Sequence, residues 1–378
     1  MVRTRKIEKL NIKKKQQADY VLLGLIGFLL IFGFVILTSA SNAIAFQKFQ
    51  DPYYYIKHQA LYGIILGLIA FFITSNIQYT YWKRYAFVLL VMTIILLLLV
   101  LIPSIGYEYL GARRWINIGG ILFQPTEVAK LTFLIYLATW LEKRQKQVHD
   151  FSYGLLAFMF LLGIIALLIM LQPDLGTMTV IATIALVIYF AAGAPFRHLA
   201  LLGFGASAVF ALLIKIAPYR AARFSVFLNP ELDPQGIGYH INQALLAIGS
   251  GGLFGLGLNN SRQKHNFLPE VTGDSIFAVM AEELGFFVVV SFIVLFILVL
   301  LRGLNIAQKA PDIFGKLLAI GITTWILFQA FVNIGAMVSI LPLTGIPLPF
   351  VSYGSSAIVM LLTAFGILIN ISKHRQRT

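Results

Sequence analysis

The sequence predicts an all-α polytopic membrane protein of about ten transmembrane helices, and three observations lead there. Of its 378 residues, 59% are hydrophobic and only 12% are charged, with a mean hydropathy of +0.86. Soluble domains do not reach that balance. Apolar windows of about 20 residues, the length that crosses a hydrocarbon core, recur ten times along the chain. The basic residues also collect on one side of the resulting topology, as cytoplasmic loops require.

The windows run Tyr20–Ala40, His58–Ile77, Ala86–Pro103, Pro125–Leu141, Ser152–Gln172, Gly176–Gly193, His198–Ala217, Ser275–Leu301, Phe314–Leu341 and Tyr353–Ile371. An even number places both termini on one side of the membrane. That side carries 19 of the 29 Lys and Arg and 5 of the 15 Asp and Glu, leaving 10 of each for the other. The charge asymmetry predicts cytoplasmic termini, N-in and C-in.

The net charge of +14 does not point to nucleic acid. Seven of the basic residues (Arg3, Arg5, Lys6, Lys9, Lys13, Lys14 and Lys15) stand in the tail 1–19 ahead of the first window. A juxtamembrane run of this kind is drawn to anionic lipid. The apolar stretch after it is too long for the core of a cleaved signal. Cys is absent, which removes disulfides, thiol nucleophiles and thiolate metal sites. The six His are scattered without ligand spacing. No cofactor is evident, although a divalent cation is compatible with the sequence.

The chain reads as a single integral membrane domain, 1–378. Its outer segments are Ser41–Lys57, Ser104–Gln124, a turn at Pro173–Leu175, the long stretch Pro218–Asp274, and Pro342–Ser352. Connections as long as 218–274 are usually functional. Within it, Ile241, Ala244, Leu245 and Ile248 follow an i, i+3, i+4, i+7 pattern. They predict an amphipathic helix at the membrane surface. The Gly249–Gly257 run has no preceding strand and no following GK[ST], so it reads as a flexible or tightly packed turn and not as a phosphate loop. The two halves show no inverted repeat of broken helices, which weakens a secondary-transporter reading.

Uncommon polar chemistry concentrates on the outer side. Asp274, Glu282 and Glu283 head the eighth window, and acids at the mouth of a span mark a functional site. Asp274 suits either an N-cap or a general base at the water boundary. Glu282 follows eight residues on, about 12 Å along a helix and on roughly the same side. Glu127 and Lys130, at i and i+3, meet one turn into the fourth span, as a structural pair or as part of a site. Arg113 and Arg114 precede that span. Asp174, in Gln172-Pro173-Asp174, reads first as a helix cap. Arg220 and Arg223 suit lipid headgroups or, through bidentate guanidinium contacts, a diphosphate. Three Pro in 342–349 force irregular backbone ahead of Ser352-Tyr353-Gly354-Ser355-Ser356. At membrane depth such backbone needs protein or a water-filled cavity around it.

Five motifs in this order resemble the SEDS family of polytopic peptidoglycan glycosyltransferases, through all ten windows. They are GARRWINIGGILFQPTEVAKL, LQPDLGT, YRAARFSVFLNPELDPQGIGYHINQALLAIGSGG, NSRQKHNFLPEVTGDSIFAVMAEELG and LPLTGIPLPFVSYGSS. The GARRWI, NSRQK and PYYYIKHQ forms are more similar to the division branch than to the elongation branch. Two motifs depart from the family. Its H-T-D-F reads Thr272-Gly273-Asp274-Ser275 here, and its S-Y-G-G-S/T reads Ser352-Tyr353-Gly354-Ser355-Ser356.

The resemblance implies a polymerase of lipid II, the disaccharide-pentapeptide on undecaprenyl diphosphate, at the outer face of a bacterial cytoplasmic membrane. It places the family's catalytic Asp at Asp274 and residues important for activity at Arg114, Glu127 and Lys130. It also implies a class B penicillin-binding protein and other divisome membrane proteins as partners. The candidate substrate-binding set is Arg114, Glu127, Lys130, Arg220, Arg223, Glu282 and Ser352.

The chemistry agrees with the residues. Diphosphate leaves without a general acid, so one carboxylate acting as base suffices, with cations to stabilise the departing charge. Two other readings stay open. A lipid II flippase would use the same cationic residues and irregular segment, and a non-catalytic scaffold would need no outer carboxylates.

Overall fold

The computed structural model describes residues 17–109, 111–216, 218–229, 232–233, 236–265 and 267–375. Their side chains are described except at 210, 213–214, 216, 218–220, 223–224 and 237. Helix α1, Tyr20–Phe49, starts at Asp19, whose carboxylate accepts from Leu22 N at 3.0 Å as an N-cap. Asp19 also pairs with Arg375 at 3.1 Å, so both ends of the described chain meet on one side of the bundle. That is the arrangement an even number of crossings requires.

The second window forms α2 (Tyr54–His58), a π-helical turn (Gln59–Ile65) and α3 (Leu66–Asn76) in one continuous rod, followed by α4 (Thr80–Leu99). After the outer segment come α5 (Pro125–Lys143), a π-helical turn (Phe151–Leu156), α6 (Ala157–Met170), α7 (Leu175–Ala191) and α8 (Phe196–Ile216). The long outer stretch holds α9 (Pro218–Leu228) and α10 (Ile237–Gly251). Helices α11 (Ile276–Gln308), α12 (Ile313–Met337) and α13 (Ser355–Ser372) complete the chain.

Each of the ten predicted windows therefore contains helix. Seven of these helices are long and apolar enough to cross a membrane by length and composition. Helix α7 is a shorter apolar helix, as is the part of α8 with continuously described side chains, Phe196–Val209, and α5 carries Glu127, Lys130, Glu142 and Lys143 within its 19 residues.

The bundle is organised around α12, which packs against α5, α7, α11 and α13. The apolar windows of α12 and α13 are each two-thirds buried, whereas only a fifth or so of α4 is. Apolar side chains on the outer helices instead face outward, as Phe72 at 70% exposure and Phe87 at 66% do. A lipid solvent makes that favourable and water does not.

Two features depart from the sequence expectation. The second outer segment contains a three-stranded antiparallel meander, β1 (Gly106–Tyr109), β2 (Ala112–Ile118) and β3 (Ile121–Phe123), which adds a small sheet to the all-α reading. Tyr107 pairs with Trp115 and Ile116 with Phe123 across it. Gly119 and Gly120, both at positive φ, close the second hairpin with the two-residue turn that such strands favour.

The second departure concerns α10. Its buried face is Ile241, Ala244 and Ala247, while Leu245 is 39% exposed. The stripe is thus rotated from the predicted Ile241, Ala244, Leu245, Ile248 set, because α10 seats on α11.

The Gly-rich run after α10 is a tightly packed turn. At Gly285 (φ 74) the chain of α11 leaves helical geometry. In an unbroken helix, the carbonyls of Glu282 and Glu283 would accept from the amides of Phe286 and Phe287. Here they accept from Leu256 N (3.0 Å) and Gly257 N (2.9 Å), while Phe286 N donates to Gly252 O at 2.9 Å and Phe287 N to Leu253 O at 3.4 Å. The run thus substitutes for one helical turn, and these four backbone groups of α11 all find partners in it. A Cβ at Gly285 would stand 2.3 Å from Gly255 N, and one at Gly255 2.2 Å from Glu283 O, so this contact is possible only between glycines.

Candidate active site

Asp274 lies in the turn that delivers the chain into α11. Glu270 has φ 49, and its carbonyl accepts from Gly273 N at 2.9 Å and Ser275 N at 3.3 Å, closing the turn. Three bonds to main-chain carbonyls then fix it from outside. Asn333 Nδ2 of α12 donates to Asp274 O at 2.8 Å. Ser352 Oγ donates to Gly273 O at 2.6 Å, and Tyr353 N to Thr272 O at 2.8 Å. His240 of α10 meets Ser275 Oγ at 2.6 Å, and that hydroxyl donates to Pro269 O at 2.7 Å. The position of Asp274 is therefore set by its backbone.

Ser352 belongs to the irregular segment between α12 and α13, whose central residues Ile346, Leu348, Phe350 and Val351 are buried. Its backbone is satisfied by side chains from the bundle. Gln329 Nε2 donates to Pro347 O (2.9 Å), Asn333 Nδ2 to Ile346 O (2.8 Å), and Gly354 N to Gln59 Oε1 (3.1 Å). Ser352 Oγ also accepts from Leu348 N at 2.8 Å. Protein covers its central residues, one of the two surroundings the sequence reading allowed, while Gly345 is exposed. Gly345 runs beside the acid, since a Cβ there would stand 3.9 Å from Asp274 Oδ2.

Beneath this segment, Glu127 and Lys130 form the expected i, i+3 pair at 2.7 Å, with both side chains 3% exposed. Lys130 Nζ also donates to Gln329 Oε1 at 3.1 Å and sits 5.0 Å from the centroid of the Trp325 ring. Glu127 Oε2 is buried with no hydrogen-bond partner among the described residues. Gln329 and Asn333, one helical turn apart on α12, join this pair to the turn of Asp274. Sequence reasoning missed both, although two polar residues at i and i+4 within an apolar span are a readable signal.

Arg114 of β2 donates from Nε to Gln172 O at 3.1 Å and from Nη2 to Pro173 O, tying the hairpin to the turn before α7. Asp174 caps α7 by accepting from Thr177 N (3.0 Å) and Thr177 Oγ1 (2.8 Å), as expected. Arg220 and Arg223 fall on α9, with side chains outside the described residues.

Glu282 and Glu283 serve elsewhere. Glu282, 1% exposed, accepts from Ser261 Oγ (2.5 Å) and from the amides of Arg262 (3.0 Å) and Gln263 (3.4 Å). Glu283 accepts from Ser39 Oγ at 2.7 Å and pairs with Lys264 at 2.8 Å, in a site where neither charged side chain exceeds 1% exposure. Lys264 completes its shell on Asn259 Oδ1 and Ser39 O. Both acids anchor the loop 259–264, so Glu282 is engaged by protein where the sequence reading had set it among substrate contacts.

The acid that joins Asp274 is Glu270. Burial pushes its carboxyl above the usual range, and the negative charge of Asp274 pushes it the same way, against Lys48, His240 and a hydrogen bond to Tyr109. No group of three or more His, Asp or Glu converges to hold a metal ion among the described residues. What the geometry offers is one carboxylate on a rigid turn, a second beside it, and a buried Glu–Lys pair beneath.

Comparison with known proteins places this arrangement. A model of the FtsW, RodA and SpoVE cell cycle proteins matches residues 20–377. Stage V sporulation protein E of Bacillus subtilis (strain 168) is 41% identical over 361 residues, 96% of this chain and 98% of the relative. A probable peptidoglycan glycosyltransferase FtsW of Geobacter metallireducens is 40% identical, with 98% of each chain covered. Among solved structures, a chain of a peptidoglycan synthase complex that coordinates polymerization and crosslinking superposes with TM-score 0.78 at 30% identity, covering 96% of this chain and 99% of its own. The rod shape determining protein RodA of Thermus thermophilus gives 0.71 at 29%, covering 96% and 98%. The chain belongs to the family of cell cycle proteins formed by FtsW, RodA and SpoVE, and is a multi-pass membrane protein.

Proposed function

We propose that the chain is a peptidoglycan glycosyltransferase that polymerises lipid II at the outer face of the cytoplasmic membrane, with Asp274 as general base. The observation that carries this reading is the turn of Asp274. It is held by backbone bonds from α12 and the segment 342–353, above a buried Glu127–Lys130 pair. Asp274 accepts the proton of the acceptor sugar's 4-hydroxyl as that oxygen bonds to the donor anomeric carbon. The bond from that carbon to the diphosphate breaks with inversion, and undecaprenyl diphosphate leaves with the electron pair.

The curated relatives named as probable peptidoglycan glycosyltransferases support the reaction. Charge asymmetry and the basic tail support an outward-facing site. Arg114 supports the site by holding the turn at 172–173, and Lys130 supplies the buried positive charge. The likeness to a chain of a synthase complex supports a class B penicillin-binding protein as partner. Septal synthesis is the favoured setting, because several relatives carry the FtsW name.

The test is full-length protein in proteoliposomes, supplied from outside with fluorescent lipid II and read on a gel. Wild type yields glycan polymer and Asp274→Asn yields none. Polymer from Asp274→Asn at the wild-type rate removes Asp274 as base. Absence of polymer from wild type as well, with label crossing the bilayer, supports a flippase instead.

A further inference from the structure

The aromatic residues at the outer end of α2 have no part in the reaction described so far. Tyr54 stacks on Phe49, at the end of α1, with ring centroids 3.7 Å apart, and on His58 one turn along at 4.4 Å. Tyr55 stands edge-on to Tyr54 at 5.7 Å and to Tyr353 at 4.9 Å. The rings form a continuous wall drawn from three elements that are remote in sequence. Its far end is tied to the turn of Asp274. Tyr353 N donates to Thr272 O at 2.8 Å, and the adjacent Ser352 Oγ donates to Gly273 O at 2.6 Å.

Gln59, 2% exposed, locks the two sides of the wall together. Its Nε2 donates to Ser352 O at 3.4 Å, and its Oε1 accepts from Gly354 N at 3.1 Å. Tyr55 is thereby fixed against Tyr353. Gln59 also opens the π-helical turn 59–65, a rare form that recurs at functional sites. Aromatic side chains at a membrane boundary ordinarily form a belt that anchors helices at the headgroups. Tyr53, 53% exposed, fits that belt. Tyr55 and Tyr353 do not, because they are only partly exposed and turn toward each other beside the acid. Neither phenol forms a hydrogen bond among the described residues. A phenol at such a depth ordinarily finds a partner.

We infer that this wall is the sugar subsite, in which the open ring surfaces of Tyr55 and Tyr353 take the C–H face of a pyranose of the substrate's disaccharide and their phenols take its hydroxyls. The inference rests on the reading of Asp274 as the base of a glycosyltransferase. A pyranose carries hydroxyls at its rim and C–H bonds on its faces, so an aromatic ring with a polar tip complements both. Ligand sites are commonly lined by such rings, with a few polar groups setting orientation. Phosphates want cations instead. Lys57, on the same helix, is already paired with Asp51 at 2.7 Å, and the wall suits the neutral part of the substrate.

The test uses full-length protein in proteoliposomes with fluorescent lipid II, and as probe the disaccharide of lipid II without lipid or peptide. Tyr55→Ala and Tyr353→Ala are each expected to raise KM for lipid II about three- to tenfold, with kcat nearly unchanged. Tyr55→Phe and Tyr353→Phe keep the ring and lose less. Tyr81→Ala and Tyr85→Ala, at exposed aromatics near the opposite end of the bundle, leave KM unchanged. In nanodiscs, saturation transfer from the protein to the disaccharide is expected in wild type and Asp274→Asn alike, and is weakened in Tyr55→Ala. A fall in kcat at constant KM overturns the inference, as does an equal rise in KM for Tyr81→Ala, which marks a belt. A disaccharide that receives no saturation from wild type overturns it however the variants fold. Polymer from Asp274→Asn at the wild-type rate overturns the base reading alone, and the saturation measurement then still decides the sugar subsite.

Discussion

Two pairs of acids head the same helix and do opposite work. In the pair Glu282 and Glu283, it is the carboxylates that are bonded. Hydroxyls, amides and an ammonium occupy them, and both side chains are buried. In the turn of Glu270 and Asp274, three main-chain carbonyls are bonded by Asn333, Ser352 and Tyr353. An acid whose oxygens hold a loop together cannot also accept a substrate proton without releasing the loop. One held by its main chain keeps its position through a cycle of proton transfer. The comparison separates a latch from a base within a dozen residues of sequence.

The comparison can be broken most decisively at Asp274. Asp274→Ala is expected to lower lipid II polymerisation by at least about 10²–10⁴-fold, the usual contribution of a general base. Its melting temperature in detergent should stay near that of wild type, because the bonds from Asn333, Ser352 and Tyr353 go to the backbone and survive the substitution. A large drop in melting temperature would place Asp274 with the latch.

The latch should show the reverse. Lys264→Met leaves Glu283 charged and buried, at a cost of about 3–5 kcal/mol, read as a lowered unfolding midpoint. The paired change Lys264→Met with Glu283→Leu should recover part of it. Gly285→Ala attacks the same region through the backbone. The positive φ alone costs about 1–3 kcal/mol, and the overlap with Gly255 N adds to it. An unchanged melting curve for that variant would mean that the exchange of hydrogen bonds at the break is not required.

Ser352→Ala removes the donor to Gly273 O and the acceptor for Leu348 N. A loss of about 1–3 kcal/mol is expected for the orphaned partners. Activity should fall further than stability, because the turn of Asp274 loosens.

The smallest effect is a pH dependence at Glu270. Its folded carboxyl lies above its unfolded value, so its favourable contribution is complete at acid pH and is lost as pH rises through the folded value. Glu270→Gln should therefore melt at or slightly above wild type near pH 8, with the gap closing as the pH falls through the carboxylate range. Thermal unfolding at several pH values measures it, and a gap that widens in acid contradicts the sign.

Much of this could be read from the residues. Spacing placed Glu127 beside Lys130, because i and i+3 share a helical face wherever the helix goes. Asp174 behaved as the N-cap its position suggested. The three prolines announced irregular backbone that needs a protein wall. The meander at 106–123 was legible at Gly119-Gly120 between short alternating strands, but its strands of three to seven residues were outweighed by the helical pattern around them. The rotation of the α10 stripe was not legible, since both Leu245 and Ala247 are apolar and only the seat on α11 decides which is covered.

Composition and period by themselves determined a membrane bundle and its helical windows, because burial in lipid requires long runs of apolar residues with internally satisfied backbones. Only the tertiary structure decided which of the clustered acids serves which purpose. Glu282 and Asp274 both stand among the acids that head the eighth window. One meets a hydroxyl and two amides of the loop folded back from residues 261–263, and the turn of the other meets an Asn from α12 at its own carbonyl and a Ser from the segment after it at the carbonyl of Gly273. Arg262, Asn333 and Ser352 lie 20, 59 and 79 residues from the residues they bond. A carboxylate's role depends on what reaches its oxygens and its backbone, and local sequence does not carry that information.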